Sequence, residues 1–197
     1  MAVKVMGVDP GFANLGYSIL EIGDLTTERL VDLVPMQVKG RVVTAGVMIT
    51  KPAGKKRRLH SSDDRTQRLE LLRARLEELM LEHTPLVVGM EDFTCLRSAA
   101  DSAKIALAWA CTWTLAKSHG IVPIYYSAQD VKRGVGLGGT ASKADVISRV
   151  GQMYPGAAAL TNEGREQHAA DAVAVAYCAA ADERVVLALR MATSRRA

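Results

Sequence analysis

Apolar positions along this chain fall first into short unbroken runs and later into helical stripes. Val3-Lys4-Val5-Met6-Gly7-Val8 is the first run; its length and β-branched content predict a buried strand that closes at the turn tripeptide Asp9-Pro10-Gly11. Tyr17 to Ile22 predicts a second strand after that turn, and Val42 to Ile49 a third. Two stretches between Asp9 and Glu91 lack either period. Asp24 to Lys39 and the basic stretch Lys51 to Ser62 therefore predict inserted loops at about 24–39 and 51–62.

The period then changes to that of a helix. Leu69, Leu72, Leu76, Leu79 and Met80 fall on one stripe, which predicts an amphipathic helix over Arg65 to His83. Asp64 with Gln67 three residues on supplies a capping-box-like start, and Thr84-Pro85 stops the helix. Leu86 to Glu91 predicts a buried strand along which successive side chains alternate, so Glu91 and Asp92 point to opposite faces and only one can join a given site. An Ala-rich helix is predicted from Ala99 to Ser118, a strand over Ile121 to Tyr126, a flexible turn at Gly134, Gly136, Gly138 and Gly139, and helices over 141–153 and 163–191. Strands first, then helices and strands in alternation, predict an α/β fold with a mixed central β-sheet flanked by helices, in a single domain spanning 1–197. No internal repeat is visible.

Composition narrows the class. Apolar residues make up 49% of the 197 residues and charged residues 23%, as in a soluble globular protein. No stretch approaches a membrane span and the apolar start before Asp9 is too short for a signal sequence, so a cytoplasmic location with no membrane partner is expected. Cys95, Cys111 and Cys178 are odd in number and lack metal-finger spacing, which supports neither a disulfide framework nor a structural zinc site and leaves them as small core residues. The net charge of +4 and pI near 9.0 lean weakly towards a polyanion. The distribution is more telling: Lys51, Lys55, Lys56, Arg57 and Arg58 fall within eight positions, and Arg190, Arg195 and Arg196 cluster at the end.

The candidate chemistry lies in acidic residues set inside apolar runs. Asp9, Glu91 and Asp171 sit where a lone charge is expensive to desolvate, and a pair of divalent cations is one way to neutralise them. Strand ends carrying Asp9 and Glu91 converge with a late helix carrying Asp171 only if the strands are neighbours and the helix packs over their ends. That geometry suits two-metal phosphoryl chemistry, in which ions ~4 Å apart activate water and stabilise a leaving oxygen. His168, three residues before Asp171, shares its helix face as a metal ligand or proton carrier. Each residue has a structural alternative: Asp9 as the cap of its own turn, Glu91 in an ion pair at the sheet edge, His168 as a hydrogen-bonded core histidine. Asp171 resists one, because Ala169, Ala170, Ala172, Val173, Ala174 and Val175 around it imply a helix buried on most sides.

A second signal is the glycine-rich stretch from Lys132 to Lys143. Glycines leading into a helix offer backbone N–H groups to an anion, with Lys132 and Lys143 flanking; no Gly-Lys-Ser/Thr follows, so it is not a Walker loop. A solvated basic loop accounts for it equally well.

Gly7-Val8-Asp9-Pro10-Gly11 with Gly16-Tyr17, Met90-Glu91, Ala100-Asp101-Ser102-Ala103, Val131-Lys132 with the glycines and Lys143, and Ala170 to Ala176 resemble, in order and over nearly the whole chain, the RuvC family of Holliday-junction resolvases. The resemblance implies an RNase H-like fold, a homodimer, and Mg²⁺-dependent symmetric nicking of four-way DNA junctions in recombination and repair. It carries Asp9, Glu91, His168 and Asp171 onto the positions that bind two Mg²⁺ ions, with Mn²⁺ able to substitute, and Lys132 and Lys143 onto basic positions near the scissile phosphate. Two departures stand out. His168 occupies a position where many members carry Asp, and the stretch between Asp9 and Glu91 is longer than usual. Bacterial members act with a branch-migration complex, whereas phage members need none.

With a nuclease site in view, Lys51, Lys55, Lys56, Arg57 and Arg58 become candidates for tracking DNA phosphates, and Arg97 and Arg133 add to them. Phe93, two residues beyond Glu91, is a candidate for stacking on an unpaired base, with core packing as its alternative. Trp109 and Trp113 at helical spacing read as packing or dimer-interface residues. The competing functions are a less selective nuclease for branched DNA or RNA–DNA hybrids and a catalytically weak junction-binding protein. An actin-like ATPase needs two such domains, which this length does not hold.

Overall fold

The structure, a computed structural model, describes residues 2–23, 38, 40–53, 60–93, 98–155 and 166–187. Their elements run β1 (Val3–Asp9), β2 (Asn14–Ile22), β3 (Gly40–Ile49), α1 (Ser61–His83), β4 (Val87–Glu91), α2 (Ala99–Ser118), β5 (Val122–Tyr126), α3 (Ala128–Gly134), α4 (Lys143–Met153) and α5 (Glu166–Ala181). The sheet order is β3-β2-β1-β4-β5. β1 pairs antiparallel with β2, and β2 with β3, while β4 lies parallel to β1 and β5 parallel to β4. The expected mixed sheet is present, and both faces are covered. Met6, Val8, Val88 and Met90 pack with Leu72, Leu76 and Met80 of α1 and Ala108 and Leu115 of α2. Val5, Leu20 and Val87 pack on the other face with Val173, Val175 and Ala176 of α5 and Val146 and Val150 of α4. Strands buried on both faces read as continuous apolar runs, which is why β1 and β4 were legible.

The register places a row of small residues across the middle of the sheet. Gly7 is opposite Gly89 on β4 and Ser18 on β2, and Ser18 is opposite Ala45 on β3. α5 lies in this trough. A Cβ on Gly7 would meet the Ala172 carbonyl and the Ala176 amide, one on Gly16 the His168 carbonyl, and one on Gly89 the Ala179 methyl at 2.8 Å. The helix thus crosses diagonally from β2 over β1 to β4. Ser18 Oγ donates to the Ala172 carbonyl at 2.9 Å, satisfying a buried hydroxyl and fixing the helix along its own axis.

Four local expectations differ. The helix expected from Arg65 begins at Ser61, inside the loop expected over 51–62, of which 54–59 lie outside the described residues. Asp64 is no cap: its Oδ1 accepts from the Ala53 amide at 2.7 Å and its Oδ2 lies 3.6 Å from Arg68. Gly134, expected as part of a flexible turn, belongs to α3, which starts behind a Ser127 cap bonded to the Asp130 amide at 3.1 Å. The last helix, expected to run unbroken to 191, is interrupted at Asp182 after Ala181, and 183–187 are helical again; Asp182 turns its carboxylate onto the Arg184 amide at 2.9 Å and accepts from Tyr126 Oη at 2.8 Å. The expected loop at 24–39 and residues 163–165 and 188–191 lie largely or wholly outside the described residues.

The trough predicts a graded response to added methyl groups. Gly7→Ala costs about 1–3 kcal/mol or more through overpacking, a loss of roughly 2–12 °C in Tm at this chain length. Gly151→Ala, in α4 with nothing within 4 Å of its Cβ position, gains about 0.5–1 kcal/mol. Thermal melts of both variants check the contrast; equal effects would remove the close packing of α5 as its cause.

Candidate active site

Two residues beyond the Gly7–Gly89 pair, the parallel strands β1 and β4 end at Asp9 and Glu91. Side chains alternate along a strand, so both carboxylates stand on the α5 face, next to each other, while Asp92 is turned away and exposed. α5 supplies the other half of the site. Its first turn sits against Gly16, which is opposite Asp9 in the β1–β2 ladder, and this brings His168 and Asp171 over the two strand ends. His168 Nδ1 lies 2.7 Å from Asp9 Oδ2. An ionised carboxylate only accepts, so Nδ1 carries the hydrogen and donates it, which makes Nε2 the acceptor of the neutral ring. The Gln167 amide nitrogen is 3.4 Å from that Nε2.

The cluster is short of positive charge. Burial, then Asp9, then Asp171 push the Glu91 carboxyl up to about 7, with Lys132 and Lys143 pulling it back. Burial and Asp9 push Asp171 up to about 6 against Lys143, His168 and Lys132. No side-chain hydrogen bond or ion pair joins the Glu91 or Asp171 carboxylate to another described residue. Buried carboxylates that repel one another and are in no ion pair with a described residue fit a hard divalent cation, which takes oxygen ligands. Among the described residues no three His, Cys, Asp or Glu side chains already form a closed metal cage; the donors line the site with Asp9 and His168 bonded to each other.

The family model described as crossover junction endodeoxyribonuclease RuvC matches residues 5–179, from β1 to the end of α5. The chain belongs to the RuvC family. Among curated relatives, the RuvC crossover junction endodeoxyribonuclease of Natranaerobius thermophilus is 29% identical over 175 residues, covering 88% of this chain and 92% of its own. That of Gluconobacter oxydans is 27% identical over 176 residues, covering 89% of each chain. Of solved structures, Thermus thermophilus RuvC superposes with a TM-score of 0.68 at 23% identity, covering 94% of this chain and 96% of that one. The same enzyme in complex with a Holliday junction substrate gives 0.66 at 22% identity and the same coverage. The yeast mitochondrial Holliday junction resolvase Ydc2 gives 0.56 at 13% identity, covering 99% and 86%. These likenesses establish the expected RNase H-like fold.

In this RuvC-family chain the two lysines reach the site from separate helices. Lys132 lies in the last turn of α3 and Lys143 is the first residue of α4; both act electrostatically on Glu91 and Asp171. The backbone anion cradle expected between them is largely taken up internally. The Gly136 amide donates to Arg133, Leu137 to Lys132 and Ala141 to Gly138, and the N-terminus of α4 is closed by its own capping box, with Ser142 N donating to Asp145 Oδ2 at 2.8 Å. An anion there meets the lysine side chains rather than a nest of free amides.

Lys51 is exposed just past β3. Lys55, Lys56, Arg57, Arg58 and Arg97 lie outside the described residues. Arg133 is exposed, 3.6 Å from Asp130. Phe93 is 37% exposed and packs edge-on against Trp109, which packs edge-on against Tyr125, both at 6.0 Å between ring centres. It is therefore the outer member of an aromatic trio, neither a core residue nor a free ring. Trp109 and Trp113 pack from α2 onto the sheet. Cys111 and Cys178 are free thiols, Cys178 buried.

One residue escaped the sequence reading. Arg68 is 8% exposed and heads the buried stripe Arg68, Leu72, Leu76, Met80 of α1. An arginine four residues ahead of a leucine stripe, in register with it, was the available signal.

The repulsion within the site makes stability fall with pH when no metal is bound. Glu91 and Asp171 have folded pKa values of about 7 and about 6, raised above their unfolded values, so the folded state holds extra protons at mildly acidic pH. The stability they contribute is complete below pH 4 and lost as pH rises through 6 and 7. In EDTA the Tm of the wild type should fall between pH 5 and 8 more steeply than that of Glu91→Gln. At pH 8, Mg²⁺ should raise the wild-type Tm more than the variant's. Parallel pH curves would sink this electrostatic account.

Proposed function

We propose that the protein is a metal-dependent endonuclease that resolves four-way DNA junctions by paired, symmetric phosphodiester hydrolysis, leaving 5′-phosphate nicks. The observation that carries this reading is the charge-deficient meeting of Asp9, Glu91, Asp171 and His168 at the ends of two parallel strands, bracketed by Lys132 and Lys143. The chain's match to the crossover junction endodeoxyribonuclease family and its likeness to a RuvC structure that contains a Holliday junction substrate support the choice of substrate.

Asp9, Glu91, His168 and Asp171 would hold two Mg²⁺ ions, for which Mn²⁺ can substitute because carboxylates barely distinguish the two. When bound, the ions supply activation of the attacking water and stabilisation of the departing 3′ oxygen. The protein's part is to keep the donors placed. The trough holds α5, the Asp9 carboxylate orients the His168 ring through Nδ1, and burial keeps bulk water from screening the charges. Lys132 and Lys143 stabilise the negative charge that builds on the phosphate. Two copies related by a two-fold axis present equivalent sites to opposing strands of a two-fold junction, so the working form is a homodimer. A bacterial host would pair it with a branch-migration complex, a phage host with none. Action on DNA within the cell implies the cytoplasm.

The test uses labelled four-way junction, fork, nicked duplex and RNA–DNA hybrid, with Mg²⁺ or EDTA. Paired junction nicks should require metal and vanish in Asp9→Asn while junction binding persists. Cutting in EDTA, or full activity of Asp9→Asn, refutes the metal-site mechanism. Equal cutting of every substrate favours a less selective branched-DNA or hybrid nuclease, and binding without cutting favours a junction-binding protein.

The basic stretch makes a separate expectation. Neutralising Lys51, Lys55, Lys56, Arg57 and Arg58 together should weaken junction affinity and flatten its salt dependence, by about 0.9 in log–log slope for each duplex phosphate that is no longer neutralised. Binding titrations across a salt series measure this; an unchanged slope means that the stretch does not touch DNA.

A further inference from the structure

Asp9 is held on its strand side by the β1–β2 ladder, where it is opposite Gly16, but the chain leaves the sheet at Pro10 and returns at Asn14, opposite Ile49 of β3. The turn between them is pinned from outside. Thr50, the first residue past β3, donates from Oγ1 to the Phe12 carbonyl at 2.6 Å and from its amide to the Ala13 carbonyl at 3.0 Å. The Gly11 amide closes back on the Asp9 carbonyl at 2.9 Å, so a shift of Phe12 is passed to Asp9 through a short, stiff turn containing a proline.

Behind Thr50 stands Arg68. Its Nε donates to Thr50 Oγ1 at 3.0 Å and its Nη2 to the Thr50 carbonyl at 3.2 Å. Nη1 lies 3.6 Å from Asp64 Oδ2, and the guanidinium carbon sits 4.6 Å above the centre of the Phe12 ring. Thr50 and Arg68 are 4% and 8% exposed. A buried guanidinium carries a desolvation cost that an apolar residue on the same stripe would avoid. What it supplies instead is direction: a planar fork fixes the Thr50 hydroxyl, and accepting a charged hydrogen bond makes that hydroxyl a stronger donor to Phe12.

We propose that Arg68, acting through Thr50, is a positioning residue that sets the Asp9 turn and through it the placement of the Asp9 carboxylate. The role rests on the nuclease reading of the site. It requires the hydroxyl of residue 50 and the fork of residue 68, and it governs the chemical step rather than DNA affinity.

Thr50→Val keeps the shape and removes the hydroxyl, Thr50→Ser restores the hydroxyl, and Arg68→Lys keeps the charge while losing the fork. Each full-length variant is assayed with Mg²⁺ well below its own Tm, for cleavage rate at saturating junction, and for junction affinity in EDTA. A carboxylate displaced by a fraction of an ångström should slow the saturating rate of Thr50→Val and Arg68→Lys on the order of 10- to 100-fold, with affinity unchanged and Thr50→Ser within about threefold of wild type. Wild-type saturating rates in Thr50→Val, a loss confined to affinity, or no rescue by serine would overturn the positioning role. Should Thr50→Val fail to fold, Arg68→Lys with Thr50→Ser decides by the same readouts. A wild type that binds the junction but never cuts it overturns the nuclease reading instead.

Discussion

The site depends on how closely one helix can approach one sheet. α5 lies in a trough made by Gly7, Gly89, Ser18 and Ala45, where a single added methyl on Gly7 or Gly89 would strike helix backbone or an alanine methyl. Ordinary side chains at those positions would lift the helix by the thickness of a packing layer. His168 and Asp171 would then stand too far above the strand ends to meet Asp9 and Glu91. The smallness that makes this contact possible runs along both partners, since α5 faces the sheet with Ala169, Ala172, Ala176 and Ala179, all fully buried. Close packing of this kind has little room to adjust, so the donor set is placed by covalent structure rather than by flexible side chains.

That rigidity has an electrostatic consequence. Glu91 and Asp171 are held where burial and the neighbouring Asp9 carboxylate disfavour ionisation, and the protein does not relieve this with a salt bridge from a described residue. Lys132 and Lys143 lower the repulsion without cancelling it. A site arranged in this way stores unfavourable free energy that a cation releases, which links metal binding to stability and leaves the carboxylates poised in the physiological range. His168 fits the same logic: its bond to Asp9 fixes the ring and directs the remaining lone pair, an orientation that a carboxylate at that position would not need.

The opposite face of the sheet contributes through Arg68. α1 is an amphipathic helix packed by Leu72, Leu76 and Met80, and its one buried cation is spent on the turn that follows Asp9 rather than on a surface ion pair. Asp64 joins the same group by accepting from Ala53, so the chain leaving β3 towards the basic stretch is tethered at the point where the Asp9 turn is tethered. The two layers of the fold thus meet the site from both sides, α5 by close contact and α1 by a buried polar relay.

The apolar runs of β1 and β4 determined those strands, because strands buried on both faces cannot be written in other residues. The alternation along β4 likewise determined that only one of Glu91 and Asp92 could join the site. The stripe of α1 was legible for the same reason, but its start was not: Asp64 looks like a cap in sequence and is recruited by Ala53 and Arg68, which lie near it only in the folded chain. The end of α5 was missed because Asp182 is claimed by Tyr126, 56 residues away in sequence. Sequence alone could nominate Asp9, Glu91, His168 and Asp171 as chemically matched groups, since burying lone carboxylates is costly in any fold. Only the tertiary structure decided that they meet, because their meeting depends on strand register and on the missing Cβ atoms of Gly7, Gly16 and Gly89, distances between parts of the chain that no local pattern encodes.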